Sequence, residues 1–120
     1  MNKLGEWGEI YVCRYLRDKG KLILTTNYRC RFGEADIIYR EKKALVFVEV
    51  KARSAGSLAT PAEYVGESKQ KKLILTAADF AAKSKIDLPV RFDVAEVYFE
   101  NETNFKEFKI HYMKDAFRID

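Results

Sequence analysis

Asp36 and, thirteen residues later, Glu49-Val50-Lys51 are the residues whose types and spacing suit chemistry. Two carboxylates can hold a divalent cation among waters, and a neighbouring ammonium can orient a nucleophile or stabilise developing charge. The stretch carrying them, Asn27 to Arg53, reads as a β-hairpin. Leu45 to Lys51 alternates with period two, so Leu45, Phe47, Glu49 and Lys51 share one face and Val46, Val48 and Val50 the other. With the turn centred on Lys42-Lys43, partners are positions summing to 85, which places Asp36 directly opposite Glu49. Opposed Cβ atoms lie only about 4.5–5.5 Å apart, where like charges repel. Glu49 is also set among Phe47, Val48 and Val50, where an unpaired carboxylate is costly. Something positive is therefore expected between the two carboxylates.

The elements that must position this pair follow from periodicity. Asn2 to Lys19 reads as a helix with Leu4, Trp7, Tyr11, Val12, Tyr15 and Leu16 in one stripe and Gly20 as its stop. At roughly 100° per residue, Glu9 falls at the edge of that stripe, while Glu6 points to solvent. Gly5 and Gly8 permit close approach of a partner backbone or mark a frayed start. Lys21 to Cys30 is a strand, Phe32-Gly33-Glu34 a turn or bulge, and Ala52 to Glu67 a long linker. A second helix is expected over Ser68–Lys85 with Ser68 as N-cap, presenting Leu73, Ala77, Phe80, Ala81 and Ser84. Val90 to Glu100 is a strand, Asn101 to Asn104 a turn and Phe105 to Met113 an edge strand, with Lys114 to Asp120 loosely ordered. The order α-β-β-β-α-β-β, with a helix between the third and fourth strands, predicts a mixed sheet flanked by helices, those two strands being parallel.

Composition sets the frame. A chain of 120 residues, 48% hydrophobic and 33% charged, suits a single domain spanning 1–120 with a real core. No apolar run approaches the ~18 residues of a membrane span and no signal peptide opens the chain, so the expected setting is cytoplasmic, without a membrane partner. Cys13, Cys30 and the lone His111 are too few and too scattered for a zinc site, and read as half-buried thiols and a surface imidazole. Net charge is +4, but unevenly spread: residues 1–85 carry 17 Lys/Arg against 10 Asp/Glu, and residues 86–120 carry 5 against 8. The basic part is the part bearing the carboxylates, as expected where a phosphate backbone must be drawn to an acidic site.

Asp36 followed by Glu49-x-Lys51 on an αβββαβ frame resembles the PD-(D/E)xK nuclease superfamily, although Ala35 stands where the proline of that name would be. A longer pattern is more specific. Gly8-Glu9, Tyr15-Leu16 with Gly20, Asn27 with Arg29, Gly33-Glu34-x-Asp36, Phe47-Val48-Glu49-Val50-Lys51-x-Arg53, Lys69 and Arg91-Phe92-Asp93-Val94 together resemble the UPF0102 (YraN-like) family. The likeness runs to about Val97, with Val12 replacing the small residue usual three positions after the helix glutamate. Its members are regarded as endonucleases related to archaeal Holliday junction resolvases. The resemblance implies a restriction-endonuclease-like α/β fold: an αβββαβ core, a mixed central sheet and here an extra C-terminal edge strand. It implies a catalytic set of Glu9, Asp36, Glu49 and Lys51 acting on DNA, branched or repair-intermediate DNA included. Asp36, Glu49, the Val50 carbonyl and Glu9 would hold Mg²⁺ or Mn²⁺, and Arg29, Arg31, Arg53, Lys69, Lys71 and Lys72 would contact phosphates. Symmetric cutting of a junction needs two sites, so a homodimer would follow.

Other readings compete. A nuclease fold can serve as a nucleic-acid-binding module with little or no catalysis, and the charges can be a structural ion network in an interaction domain. Glu34 reads first as a turn charge, Asp93 as a structural hydrogen-bonding group, and Lys69-Lys71-Lys72 as a solvated helix face.

Overall fold

Central strands apolar on both faces, and helices with one apolar stripe, are satisfied together by a sheet covered by a helix on each side. The computed structural model describes residues 3–54 and 65–118. Its elements are α1 (Lys3–Asp18), β1 (Leu22–Cys30), β2 (Gly33–Arg40), β3 (Leu45–Ser54), α2 (Glu67–Ser84), β4 (Val90–Phe99) and β5 (Phe108–Phe117). The five strands form one sheet in the order β1-β2-β3-β4-β5. β3 and β4 run parallel from Leu45↔Val90 to Ser54↔Phe99, while the other neighbours are antiparallel. This mixed sheet and element order are those expected and are compatible with a restriction-endonuclease-like fold, β5 being the added edge strand.

The faces divide as the alternation requires. Val12 and Leu16 of α1 pack on Ile37, Tyr39, Val46 and Val48, whereas Leu73, Ala77 and Phe80 of α2 pack on Ile38, Leu45, Phe47 and Phe92. Each of the buried Val, Leu, Ile and Phe side chains contributes about 1.5–3 kcal/mol by leaving water. Gly8 lets α1 settle onto β3, because a Cβ there would lie 3.0 Å from the Ala52 Cβ. Gly33, at φ 154°, lets the start of β2 lie against Lys72 and Thr76 of α2. Among the described residues no helix is long and apolar enough to cross a membrane.

Four expectations need correction. β3 continues to Ser54, taking three residues from the expected linker, because Ala52, Arg53 and Ser54 find ladder partners in Val97, Tyr98 and Phe99; residues 55–64 of that linker lie outside the described residues. α2 starts at Glu67 with Gly66 as N-cap and no side-chain cap, since Gln70 already donates to the Gly66 carbonyl, so Ser68 is inside the helix. Cys13 is buried rather than half-buried. β5 is displaced towards the C-terminus: it spans Phe108–Phe117, so Lys114 to Phe117 are ordered strand.

A buried polar centre explains that last shift. Asp93, fully buried, accepts hydrogen bonds from Arg91 Nε and Nη2, each at 2.9 Å, from Tyr112 at 2.5 Å and from the Asp115 N–H at 2.8 Å. Asp115 has φ 58°, so β5 bulges around the carboxylate and then resumes, seating Phe117 flat on Phe92 at 4.7 Å. Asp93 is thus the structural hydrogen-bonding group its sequence setting suggests.

Candidate metal centre

Asp36 lies where the sheet changes its pleat. Ala35 faces the α2 side and Ile37 the α1 side, although residues two apart share a face in a regular strand. Asn27, across from Asp36 on β1, has φ 53°, a left-handed conformation that asparagine tolerates. On the other side, the β2–β3 ladder runs from Arg40↔Leu45 to Ile37↔Val48 in the expected register. It stops one pair short of Asp36 and Glu49. Instead the Asp36 carboxylate accepts the Val50 N–H at 2.8 Å. Because the N–H and C=O of one strand residue leave on the same side, the Val50 carbonyl opens towards the same gap.

Glu49 is 7% exposed, and its carboxylate takes the Lys69 ammonium at 2.5 Å. Burial raises the Asp36 carboxyl, the Glu49 charge raises it further, and the Val50 hydrogen bond only partly offsets them, leaving it pushed up to about 7. For Lys69, burial disfavours the charge, but the bond to Glu49 outweighs it and its pKa lies above the ordinary lysine value. Lys51 is shifted the other way, below the ordinary value, by burial and by the nearby Arg53. Glu9, half-buried on α1, is raised by burial against a lowering hydrogen bond from Asn27, with further upward contributions from Glu34 and Glu49.

The site therefore has two tiers. The half-buried Asp36 and the buried Glu49 form an acidic pair balanced by Lys69, with Lys51 on the same strand as Glu49. Glu9 feels the charges of this pair yet sits with Asn27 in the α1–β1 groove that also includes Cys13 and Arg17. Among the described residues no three His, Cys, Asp or Glu side chains converge as a ready-made metal cluster. The donor chemistry nevertheless fits a hard divalent ion. All the candidate ligands are oxygens, and the pair carries more negative charge than its burial favours, as the raised Asp36 carboxyl registers.

The expected phosphate contacts separate into groups. Arg29, Arg31 and Lys72 line one groove with Gly33 and Glu34, and Lys69 and Lys72 line the adjoining one, so these four form a basic rim beside the acidic pair. Arg29 also pairs with Glu34 at 3.2 Å, a cross-strand contact in β2 rather than in a turn. Lys71 is exposed and pairs with Glu67 at 3.8 Å. Arg53 is largely buried and bound to Glu96 at 2.7 Å.

Two residues beyond the sequence-based set belong to this region. Glu96 is 1% exposed and stands across from Lys51 in the parallel ladder; its sequence signal is an acid in phase with Phe92 and Val94. Asn27 bonds to Glu9; it stands in the resemblance pattern without a role there, and its physical signal is that asparagine tolerates positive φ.

A helix, three strands, a helix and a strand, with an Asp and a Glu-x-Lys where the central hairpin opens, define a mixed-sheet α/β domain compatible with restriction-endonuclease-like architecture. The chain belongs to the UPF0102 family: the model described as "Uncharacterised protein family UPF0102" matches residues 8–97. That span includes Glu9, Asp36, Glu49, Lys51 and Glu96 and excludes β5. A UPF0102 protein of Desulforapulum autotrophicum is 42% identical over 119 residues, covering 98% of this chain and 95% of the relative. Relatives from Alkaliphilus metalliredigens (44% over 115 residues; 95% and 96% covered) and Flavobacterium psychrophilum (38% over 116 residues; 97% and 94%) are similarly full-length matches.

Proposed function

We propose that this protein is a metal-dependent endonuclease that hydrolyses DNA phosphodiester bonds, with branched or repair-intermediate DNA among its substrates. The observation carrying this reading is the acidic pair: Asp36, pushed up to about 7, beside the buried Glu49, with Lys69 held on the latter. Burying such a pair costs stability, and a divalent cation relieves that cost. Mg²⁺ or Mn²⁺ bound there would acidify a water and neutralise charge on the scissile phosphate. Asp36, Glu49 and the Val50 carbonyl would hold the ion, and Lys51 would orient the water or meet the charge that develops on phosphate. Glu9 assists through water from α1. Arg29, Arg31, Lys69 and Lys72 position the backbone without reading sequence. Two copies, joined through an open edge of β1 or β5, would present the two sites that symmetric junction cutting needs.

The test is cleavage of linear, nicked and four-way-junction DNA, with and without Mg²⁺ or Mn²⁺, beside Asp36→Ala and Lys51→Ala. Cutting is expected only with the metal, at a rate reduced at least about 100-fold by either substitution. Cutting that survives both substitutions would overturn the assignment. A second reading, a nucleic-acid-binding module with little catalysis, is favoured by one feature: Lys69 already neutralises Glu49, and Glu9 stands apart. Binding without cleavage under every metal condition would select it.

A further inference from the structure

The end of the sheet remote from the acidic pair carries a second concentration of positive charge. Lys19 and Lys21 from the α1–β1 connection, Arg40 from the end of β2, Lys42 from the β2–β3 turn and Lys114 from β5 line a groove of about 400 Å³. Five cations there face one carboxylate, Glu41, an excess as large as the +4 of the whole chain. Glu41 is shared between one groove lysine, Lys21 at 2.9 Å, and Arg91 outside the groove at 3.0 Å. Among the described residues Lys19, Arg40, Lys42 and Lys114 form no ion pair.

This is a built surface. Lys19 lies over the Tyr15 ring at 5.1 Å and Lys21 near the Tyr39 ring at 5.9 Å. Tyr15 stacks on Tyr112 at 5.7 Å, and both Tyr39 and Tyr112 are hydrogen-bonded into the Arg91–Asp93 centre. The ring faces restrict the lysines before any ligand arrives, reducing the ordering cost of binding. Converging like charges repel one another, and an anion carrying several charges relieves that repulsion.

We infer that this groove binds a second stretch of nucleic-acid phosphate backbone, apart from the stretch engaged at the acidic pair. From Asp36 to Glu41 the chain advances five residues, about 17 Å at strand rise, comparable with half of the ~34 Å turn of a duplex. The inference rests on the nuclease reading and adds that the protein grips its substrate at both ends of the central hairpin.

The experiment compares the parent chain with K19Q/K42Q/K114Q and with a K106Q/K109Q control of two exposed lysines elsewhere. Binding to a fluorescent 30-base-pair duplex is followed by anisotropy in EDTA across a salt series, and cleavage with Mn²⁺ at saturating DNA. Far-UV circular dichroism verifies folding of each variant. The groove variant is expected to bind at least tenfold more weakly at low salt, with a log–log salt slope shallower by about 2.7, roughly 0.9 for each lost phosphate contact. Its cleavage rate at saturation stays at the parental value, and the control slope changes by less than one. A groove variant with the parental slope, while the parent binds and cuts, overturns this inference alone. A parent that binds no duplex overturns the nuclease reading and this inference together. Titration with inorganic tripolyphosphate separates the remaining source of phosphate: tight groove-dependent binding of that ion, with duplex affinity unchanged in the variant, would assign the groove to a small phosphorylated ligand and overturn the inference.

Discussion

At the residue scale, Asp36 couples the proposed chemistry to stability. Its carboxyl is pushed from 3.8 up to about 7 by burial and by Glu49, so between those values the folded chain holds a proton that the unfolded chain releases. The contribution is therefore fully present below about pH 4 and is lost as pH rises towards 7, with a limiting slope near 1.4 kcal/mol per pH unit. In EDTA, urea unfolding should show Asp36→Asn gaining stability relative to the parent from pH 5 to pH 8, while Mg²⁺ or Mn²⁺ at pH 8 stabilises only the parent. Parallel stability curves for the two proteins would remove the acidic-pair argument. Asp93 is the opposite case, a buried carboxylate whose partners surround it completely. Asp93→Ala leaves Arg91, 14% exposed at its side chain, without its bidentate partner, and should cost about 3–5 kcal/mol. Urea midpoints measure this, and a loss below 1 kcal/mol would contradict the network described.

At the scale of elements, the site depends on how closely α1 lies on β3. Gly8 is the contact point, with the Ala52 Cβ 3.0 Å and Val50 Cγ1 3.5 Å from where its own Cβ would be. Gly8→Val should push the helix outward, cost about 1–3 kcal/mol as overpacking does, and carry Glu9 away from the acidic pair. Metal-dependent cleavage should then fall more than duplex binding does. Unchanged thermal unfolding in this variant would show that the helix does not rest there. α2 has a parallel role on the other face, bringing Lys69 to Glu49 and Lys72 to the basic rim. β5 acts from further away, since its bulge at Asp115 and its stacked Phe117 close the Asp93 centre that also orients Tyr39 and Tyr112.

On the scale of the whole molecule, charge is segregated along the hairpin. One end joins the acidic pair to the rim of Arg29, Arg31, Lys69 and Lys72, and the other carries the five-cation groove. A polyanion engaged at both ends would bind with a steep salt dependence, and the two surfaces are separable because different cations form them. Burial consumes some apparent positive charge: Arg53 and Arg91 sit in ion pairs with Glu96, Glu41 and Asp93. A count of lysines and arginines therefore overstates the cationic surface.

Local chemistry in the sequence was enough for the element order, the faces of β3 and the hairpin register, because period-two and 3.6-residue patterns and a short turn are encoded by neighbouring residues. The same locality made Asp36, Glu49 and Lys51 visible as a set, and placed Glu9 rather than Glu6 at the edge of the buried stripe. Tertiary structure decided what depends on residues remote in sequence. Strand pairing with β4 lengthened β3, and Asp93 fixed the bulge that carries β5 to Phe117. The twist of the pleat between Ala35 and Ile37 ended the ladder just before Asp36, sending its carboxylate to the Val50 N–H. Only packing against α2 brought Lys69 onto Glu49 and only the parallel ladder set Glu96 beside Lys51. A carboxylate pair is written in residue types, but its balancing charge depends on which distant cation the fold brings beside it.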